Sequence, residues 1–408
     1  MIAADNIWRN PGFRIYLGST AFSGVAFAMQ QLLLSWILIG ILELPATQVG
    51  MIQALAGIPG IFLMLLGGAS ADGRDPRALL IQVYSIAPIM PLLLIAIINV
   101  NQLNIWSVII WALGMSVVIS YSSPAQQAIL SRVAGQDIQK AVSATTAIGF
   151  LVQMLGLSVA GTMDELGLVP VLTFQAICVG LGAVAVRRLK PRPPKLPASK
   201  QPTWKIILDG LHAVYRHKVI FQVLTINFVS SIFNAGAFAT VFPFIIKRIY
   251  DGDALLLSMM MIIFFGGAAA SNFMMFRMLP LTRPGRIFLI MQLSRMLILG
   301  LMWLRPEFWL MVIASIAWGL NMGVTTTLAR SIVQESASVQ YRARILSVYS
   351  LGFIGSAPIG ALMLGWMIDI FGILNALLPA MFISFALFLY GVFFSDVFNY
   401  ESPGQGPV

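Results

Sequence analysis

The sequence predicts an all-α membrane protein of 12 transmembrane helices, arranged as two pseudo-symmetric six-helix bundles. Three features point there: an apolar composition, apolar runs that recur along the whole chain, and residues that repeat between its two halves. Of the 408 residues, 59% are hydrophobic and 10% are charged. An average soluble domain carries about 25% charged residues. The mean hydropathy is +0.88. A soluble fold of this size has too little interior to hide that much apolar surface, whereas a lipid-embedded fold presents it outward. The single cysteine, Cys178, sits in an apolar run, so no intramolecular disulfide forms and the thiol is a small packing residue.

Each membrane crossing needs about 20 apolar residues to span a hydrocarbon core of ~30 Å. The first run starts near Phe13 and continues to about Leu42. That is too long for a signal-peptide core, so it is read as a retained span. Runs in the first half centre on Ala28, Phe62, Pro91, Ser116, Phe150 and Val179. Those in the second half centre on Ile232, Phe265, Arg295, Ala317, Ile354 and Ala386. Gly57, Pro59 and Gly60, and later Gly352, Gly355, Pro358 and Gly360, lie within runs, as membrane helices tolerate.

The net charge of +10 comes from 25 Lys and Arg against 15 Asp and Glu. With both termini and alternate loops on one side, all but four of those cations fall on that side. The exceptions are Lys247, Arg248 and Arg305 opposite, and Arg295 inside a run. This asymmetry places both termini in the cytoplasm and accounts for the basic charge without nucleic acid. A bacterial inner membrane and a lipid bilayer as partner are the corresponding expectations.

Residues 187–218 interrupt the pattern. Five prolines precede Thr203, which reads as a semi-rigid extended linker. From Thr203, Trp204, Ile207, Leu208, Leu211, Val214 and Tyr215 recur at helical spacing against Lys205, Asp209, His212 and Arg216. An amphipathic helix lying on the cytoplasmic leaflet is expected there. The chain therefore divides into an N-terminal bundle (1–187), a linker with its helix (188–218), and a C-terminal bundle with a short tail (219–408). The halves also repeat. GLSVAGTMDELG at 156–167 resembles GALMLGWMIDIFG at 360–372. Ser143/Ser347, Gly156/Gly360, Gly161/Gly365, Asp164/Asp369 and Gly167/Gly372 fall in near-constant register.

Three motifs carry a family resemblance. Gly68-Ala-Ser-Ala-Asp72-Gly-Arg74-Asp75-Pro-Arg77 follows the second run and resembles the G-x-x-x-D-[RK]-x-G-R-R signature of the major facilitator superfamily. Ser123-Pro-Ala-Gln-Gln-Ala-Ile-Leu130 closes the fourth run. Arg342-Ala-Arg344-Ile-Leu-Ser-Val-Tyr349 opens the eleventh, followed by Ala357-Pro-Ile-Gly-Ala361. Together they resemble the branch that contains the enterobactin exporter and the macrolide efflux pumps. The resemblance implies the major facilitator fold and proton-driven export of amphipathic small molecules. It also implies a conformational latch in which Gly68 lets helices approach, Asp72 pairs with a basic residue, and Arg74, Arg77, Arg342 and Arg344 contribute charge. The sequence departs from the branch pattern. Gly73 and Asp75-Pro76 alter the loop, Ala26 and Phe27 replace Gly-Asp in the first run, and Gln153 and Leu157 replace Arg and Pro in the fifth.

A proton-coupled carrier needs a titratable group within the membrane. All 15 acidic residues read as loop or run-end positions. Arg295 is the one charge deep in a run, and it should face the interior as an anchor for an anionic or electron-rich group, or else pair with backbone carbonyls. Runs one, four, seven and ten line the cavity in this superfamily. They supply Gln30, Gln31, Tyr121, Asn227, Asn234 and Asn321 with aromatic neighbours such as Phe27, a mixture suited to an amphipathic ligand. Each polar residue singly also fits interhelical hydrogen bonding. The sequence holds no P-loop, metal-ligand cluster or nucleophile–base pair, so no cofactor, metal or enzymatic activity is expected. The sequence thus points to a secondary exporter of a drug-like or siderophore-like molecule, working as a monomer. An importer or lipid facilitator of the same fold, or a non-transporting sensor or assembly protein, are the alternatives.

Overall fold

A computed structural model describes residues 7–73, 75–134, 138–191, 203–278, 281–338 and 341–402. Among them, 12 helices are long and apolar enough to cross a membrane. Spans 1 to 6 are Pro11–Ile41, Ala46–Leu63, Pro76–Asn99, Ile105–Ala134, Lys140–Leu166 and Leu168–Arg187. Spans 7 to 12 are Lys218–Ile249, Ala254–Met278, Pro284–Trp303, Phe308–Ser336, Arg344–Phe371 and Asn375–Phe393. The span-2 helix itself continues to Gly73. Every run centre read from the sequence falls inside its span.

Helix starts follow local chemistry. Asn10 caps span 1, its side-chain oxygen accepting from the Gly12 amide at 2.9 Å, with Pro11 in the first helical position. Asp75 caps span 3 the same way, accepting from the Arg77 amide at 3.1 Å before Pro76 has left its first turn. These positions have orphan amides and suit a proline that has no N–H to lose. Span 3 breaks at Ala87–Pro88 and resumes at Ile89. Pro59, Pro124 and Pro358 sit inside continuous helices. Spans 1 and 7 are the most buried, and spans 3, 5 and 12 the least. Phe276, Phe382 and Leu151 are among the large apolar side chains left exposed, as an outer face in lipid requires.

The chain forms two compact units. One comprises residues 1–43, 55–200 and 253–262, and the other 44–54, 201–252 and 263–408. Spans 2 and 8 therefore each begin in one unit and continue in the other. In the first unit, span 1 packs along spans 5 and 6, and span 3 along spans 4 and 6. In the second, span 7 packs along span 11, and span 9 along spans 10 and 12. The expected amphipathic helix is present at Thr203–Arg216. It lies against the start of span 11, where Arg344 Nη1 meets Asp209 Oδ2 at 2.9 Å and Val214 is buried.

Candidate functional site

The repeated residues occupy equivalent structural positions in the two units. Gly156 lets span 5 meet span 1, where an added Cβ would lie 2.5 Å from the Val25 carbonyl oxygen and 2.6 Å from the Ala28 Cβ. Gly360 does the same for spans 11 and 7, facing Gly236 and the Ile232 carbonyl with no space for a side chain. Five residues on, Gly161 abuts Ser258 of span 8, and Gly365 abuts Gly50 and the Ala46 carbonyl of span 2. Backbones this close are the small-residue packing of membrane helices.

One turn further, the paired aspartates meet helix starts. Asp164 Oδ2 accepts from the Ala254 amide at 2.8 Å, and its Oδ1 accepts from Trp36 Nε1 at 2.9 Å. Asp369 accepts from the Ala46 amide at 3.1 Å and the Thr47 amide at 2.7 Å, one oxygen for each. Each carboxylate thus caps a long helix whose N-terminal amides would otherwise be orphaned, with the charge favourably placed on the helix dipole. Beside the second joint, Gln53 of span 2 donates to the Ala239 carbonyl at 3.0 Å and accepts from Thr240 Oγ1 at 2.7 Å. Gly167 and Gly372 follow at φ of +88° and +87°, a conformation that a Cβ penalises.

The expected ligand-facing residues divide by what they touch. In the first unit, Gln30 is buried and accepts from Gln175 Nε2 at 3.0 Å, and Gln31 Oε1 accepts from Gln153 Nε2 at 3.2 Å. Phe27 lies tilted on Tyr84, with ring centroids 6.4 Å apart. Phe27 and Gln153 also line a cavity of about 280 Å³ between spans 1 and 5. Gln126, from the span-4 motif, donates to Tyr84 Oη at 2.7 Å and to Ser23 Oγ at 3.2 Å. Tyr121 is half-buried on span 4.

In the second unit, Asn227 is buried and borders a cavity of about 400 Å³ between spans 7 and 11. Asn234 Oδ1 accepts from Trp318 Nε1 at 2.6 Å. Trp318 stands edge-on to Phe238, Phe242 and Phe264, so an aromatic cluster backs that asparagine. Span 7 becomes a π-helix here, at Ala237–Val241 and Ile245–Ile249, as span 1 does at Ile37–Ile41. Such widened turns are enriched at functional positions.

Arg295 enters the interior as its position in the run requires, and is 4% exposed. Its guanidinium is held by neutral oxygens from three spans. Nε and Nη2 donate to Asn321 Oδ1 at 3.2 and 3.1 Å. Nη2 also reaches Thr325 Oγ1 at 3.4 Å, while Nη1 meets Gln292 Oε1 at 3.2 Å and the Ser230 hydroxyl. Asn321 is fixed in turn, donating to the Met291 carbonyl at 2.6 Å and Ser294 Oγ at 2.7 Å. Arg295 and Asn321 are thus brought together, and the arginine ties spans 7, 9 and 10.

Tyr84, Gln175, Ser230 and Gln292 were not singled out by sequence reasoning. A lone glutamine inside an apolar run, as in Thr173-Phe-Gln-Ala176 or Met291-Gln-Leu293, is the signal that marks such networks. Of the expected latch, Gly68 and Asp72 lie on the span-2 helix but their side chains are outside the described residues, as is Arg74 altogether. Arg77 Nη2 donates to the Arg187 carbonyl at 2.7 Å, Arg342 Nη2 to the Ala337 carbonyl at 3.4 Å, and Arg344 pairs with Asp209. Among the described residues, no group of His, Cys, Asp and Glu is placed to hold a metal ion.

The profile of one family, described as transmembrane secretion effector, matches residues 6–401. The chain belongs to that family. Among solved structures, this chain is similar to the nucleoside transporter NupG (TM-score 0.77, 14% identity, 96% of this chain and 100% of that one). It is also similar to a POT family transporter in complex with 5-aminolevulinic acid (TM-score 0.75, 13% identity, 95% and 97%). A third is a bacterial homologue of the human lysosomal transporter Spinster, inward-facing and unoccupied (TM-score 0.70, 13% identity, 97% and 99%). At these identities the likeness shows the fold alone, which is that of the major facilitators. A comparison with curated proteins gives no match. The chain is thus a multi-pass membrane transporter of the major facilitator fold.

Proposed function

We propose that this protein exports a small amphipathic molecule by alternating access, driven by the proton gradient, and that it works as a monomer in a bacterial inner membrane with both termini cytoplasmic. The observation that carries the reading is the match of residues 6–401 to the transmembrane secretion effector family, on a chain with 12 helices long and apolar enough to cross a membrane. A chain of two repeated six-helix halves is the arrangement of carriers that work by alternating access. The family's description as secretion effectors supports the outward direction, and the one-sided distribution of Lys and Arg supports the orientation.

Substrate contacts are assigned to Phe27, Gln31, Tyr121, Asn227 and Asn234. Phe27 and Asn227 line the two span-pair cavities, Gln31 bonds to Gln153 of the first, Asn234 meets the aromatic cluster, and Tyr121 is half-buried on span 4, giving flat apolar faces with separated hydrogen-bonding groups. Gln30, Asn321 and Arg295 form the scaffold behind them, and Arg295 adds a positive potential that favours an anionic or electron-rich group. The latch on the terminal side is assigned to Gly68, Asp72, Arg74, Arg77, Arg342 and Arg344.

One observation favours a second reading. Among the described residues, no carboxylate lies mid-span, which suits a facilitator of the same fold without proton antiport. Proteoliposomes loaded with ethidium or with a catecholate siderophore separate the two. Efflux accelerated by an imposed proton gradient supports antiport. Downhill flux that is indifferent to the gradient supports the facilitator, and no flux above empty liposomes overturns both in favour of a non-transporting role.

A further inference from the structure

The start of span 1, the turn before span 3, the end of span 4 and the segment after span 6 enclose a second kind of cavity, of about 300 Å³. It lies wholly within the first unit and shares no residue with the cavity between spans 1 and 5. That volume is at the lower end for small-ligand sites, about 300–1,000 Å³. Its walls carry four cations, Arg77, Arg132, Arg188 and Lys190, against one carboxylate, Asp75.

The carboxylate does not balance them. Asp75 Oδ1 accepts from the Arg77 amide as the cap of span 3 and meets Arg132 Nη1 at 3.4 Å. Arg188 and Lys190 are exposed and form no ion pair among the described residues. Arg77 spends Nη2 on the Arg187 carbonyl, but its Nε is buried without a hydrogen-bond partner. A buried guanidinium N–H left unpaired costs more than an ordinary lost hydrogen bond, because the group is charged. The N-terminal end of span 1 borders the same cavity at Pro11 and Gly12, adding the positive end of a long helix dipole. Cations around a helix N-terminus, with an unsatisfied planar donor in the wall, select a compact multivalent anion with several acceptor oxygens.

We propose that this cavity binds a phosphate group, supplied by an acidic phospholipid headgroup or by a soluble phosphate, and thereby ties span 1 to the ends of spans 4 and 6. The site is separate from the transported substrate and does not depend on the direction or coupling of transport. Basic pockets at a membrane-facing end are the usual place for anionic headgroups.

The experiment uses the full chain and the variant Arg188→Gln/Lys190→Gln, whose altered side chains are exposed and whose fold should be unaffected; matching melting curves in ligand-free detergent verify that. Dioleoyl phosphatidylglycerol is titrated and bound lipid counted by native mass spectrometry. Inorganic phosphate is titrated separately in lipid-free detergent at fixed ionic strength, with chloride as control. The headgroup source predicts retained phosphatidylglycerol, not phosphatidylcholine, bound about 25-fold more weakly by the variant, at about fivefold per cation. The soluble source predicts saturable stabilisation by phosphate that chloride does not reproduce and the variant loses. Equal binding by variant and parent, or stabilisation by chloride equal to that by phosphate, would overturn the proposal. Arg77→Gln, read the same way, should also weaken phosphate binding, because it removes the unpaired Nε donor; binding equal to the parent would overturn the part assigned to that donor.

Discussion

Arg295→Met is expected to destabilise the folded transporter by about 3 kcal/mol, the cost of buried acceptors left without a donor at about 1–3 kcal/mol each, partly offset by removal of a buried charge that has no counter-ion among the described residues. The methionine fills a similar length, so the loss comes from hydrogen bonding rather than from a void. Four side-chain oxygens on three spans, at Ser230, Gln292, Asn321 and Thr325, lose the arginine's N–H at once, and Gln292 Oε1 keeps only the Ser230 hydroxyl as donor. Asn321 Oδ1, which takes two of the arginine's bonds, suffers most. Buried acceptors in a low-dielectric interior cannot turn to water. Arg295→Lys keeps the charge but offers three donors from one point, so it should restore only part of the loss. Thermal unfolding in detergent, followed by intrinsic tryptophan fluorescence, ranks parent above lysine above methionine. A methionine variant as stable as the parent would show that the guanidinium does not bind the three spans together.

Gly360→Val is expected to do at least as much damage by a different route. Gly360 is buried against Gly236 on span 7, and both the Ile232 carbonyl and the Gly236 backbone occupy the space that a side chain would need. Neither can swing aside as a flexible side chain would. Spans 7 and 11 must separate, which breaks the most extensive helix pairing of the second unit. Overpacking in a rigid core costs about 1–3 kcal/mol, and a backbone clash belongs at the top of that range or beyond. The repeat-related Gly156→Val should be milder, because its neighbours include the Ala28 Cβ as well as backbone. Yields of monodisperse protein from size-exclusion chromatography should fall more for the span-11 variant than for the span-5 variant. The reverse order would mean that the two interfaces are not packed as described.

These two residues also show what the sequence makes legible. The run of apolar residues around Arg295 reveals that a charge enters the membrane interior, because hydropathy and length are local properties. Its partners are not local. Ser230 lies 65 positions away and Thr325 lies 30 away, and nothing in either run marks which face meets the arginine. Gly156/Gly360 and Asp164/Asp369 are visible as a repeat, yet the repeat alone does not say what they hold. The aspartates read as plain run-end charges. Their partners are the amides of helices that begin 90 and 323 residues away. Backbone amides leave no trace in a sequence, so a capping role of this kind is invisible until the chain is folded. Likewise, Arg77 and Arg132 read as cations of the basic side, and only the fold brings them around one cavity with Arg188 and Lys190.

The central claim, which rests on the proposed function, is that access to the proposed substrate-contacting side chains alternates between the two sides of the membrane, and that the Asp164 and Asp369 caps bias that balance. The protein has one cysteine, Cys178, and it is buried, which makes thiol labelling clean. The decisive measurement places a cysteine at Tyr121 in a Cys178→Ala background and follows its reaction with a membrane-impermeant maleimide in right-side-out and inside-out vesicles. The account predicts labelling from both sides, and a faster rate from the side opposite the termini when Asp164 and Asp369 are both replaced by alanine. Removing one cap of about 1 kcal/mol shifts a two-state balance about fivefold. Reactivity from one side alone, unchanged by the alanine replacements, would contradict it.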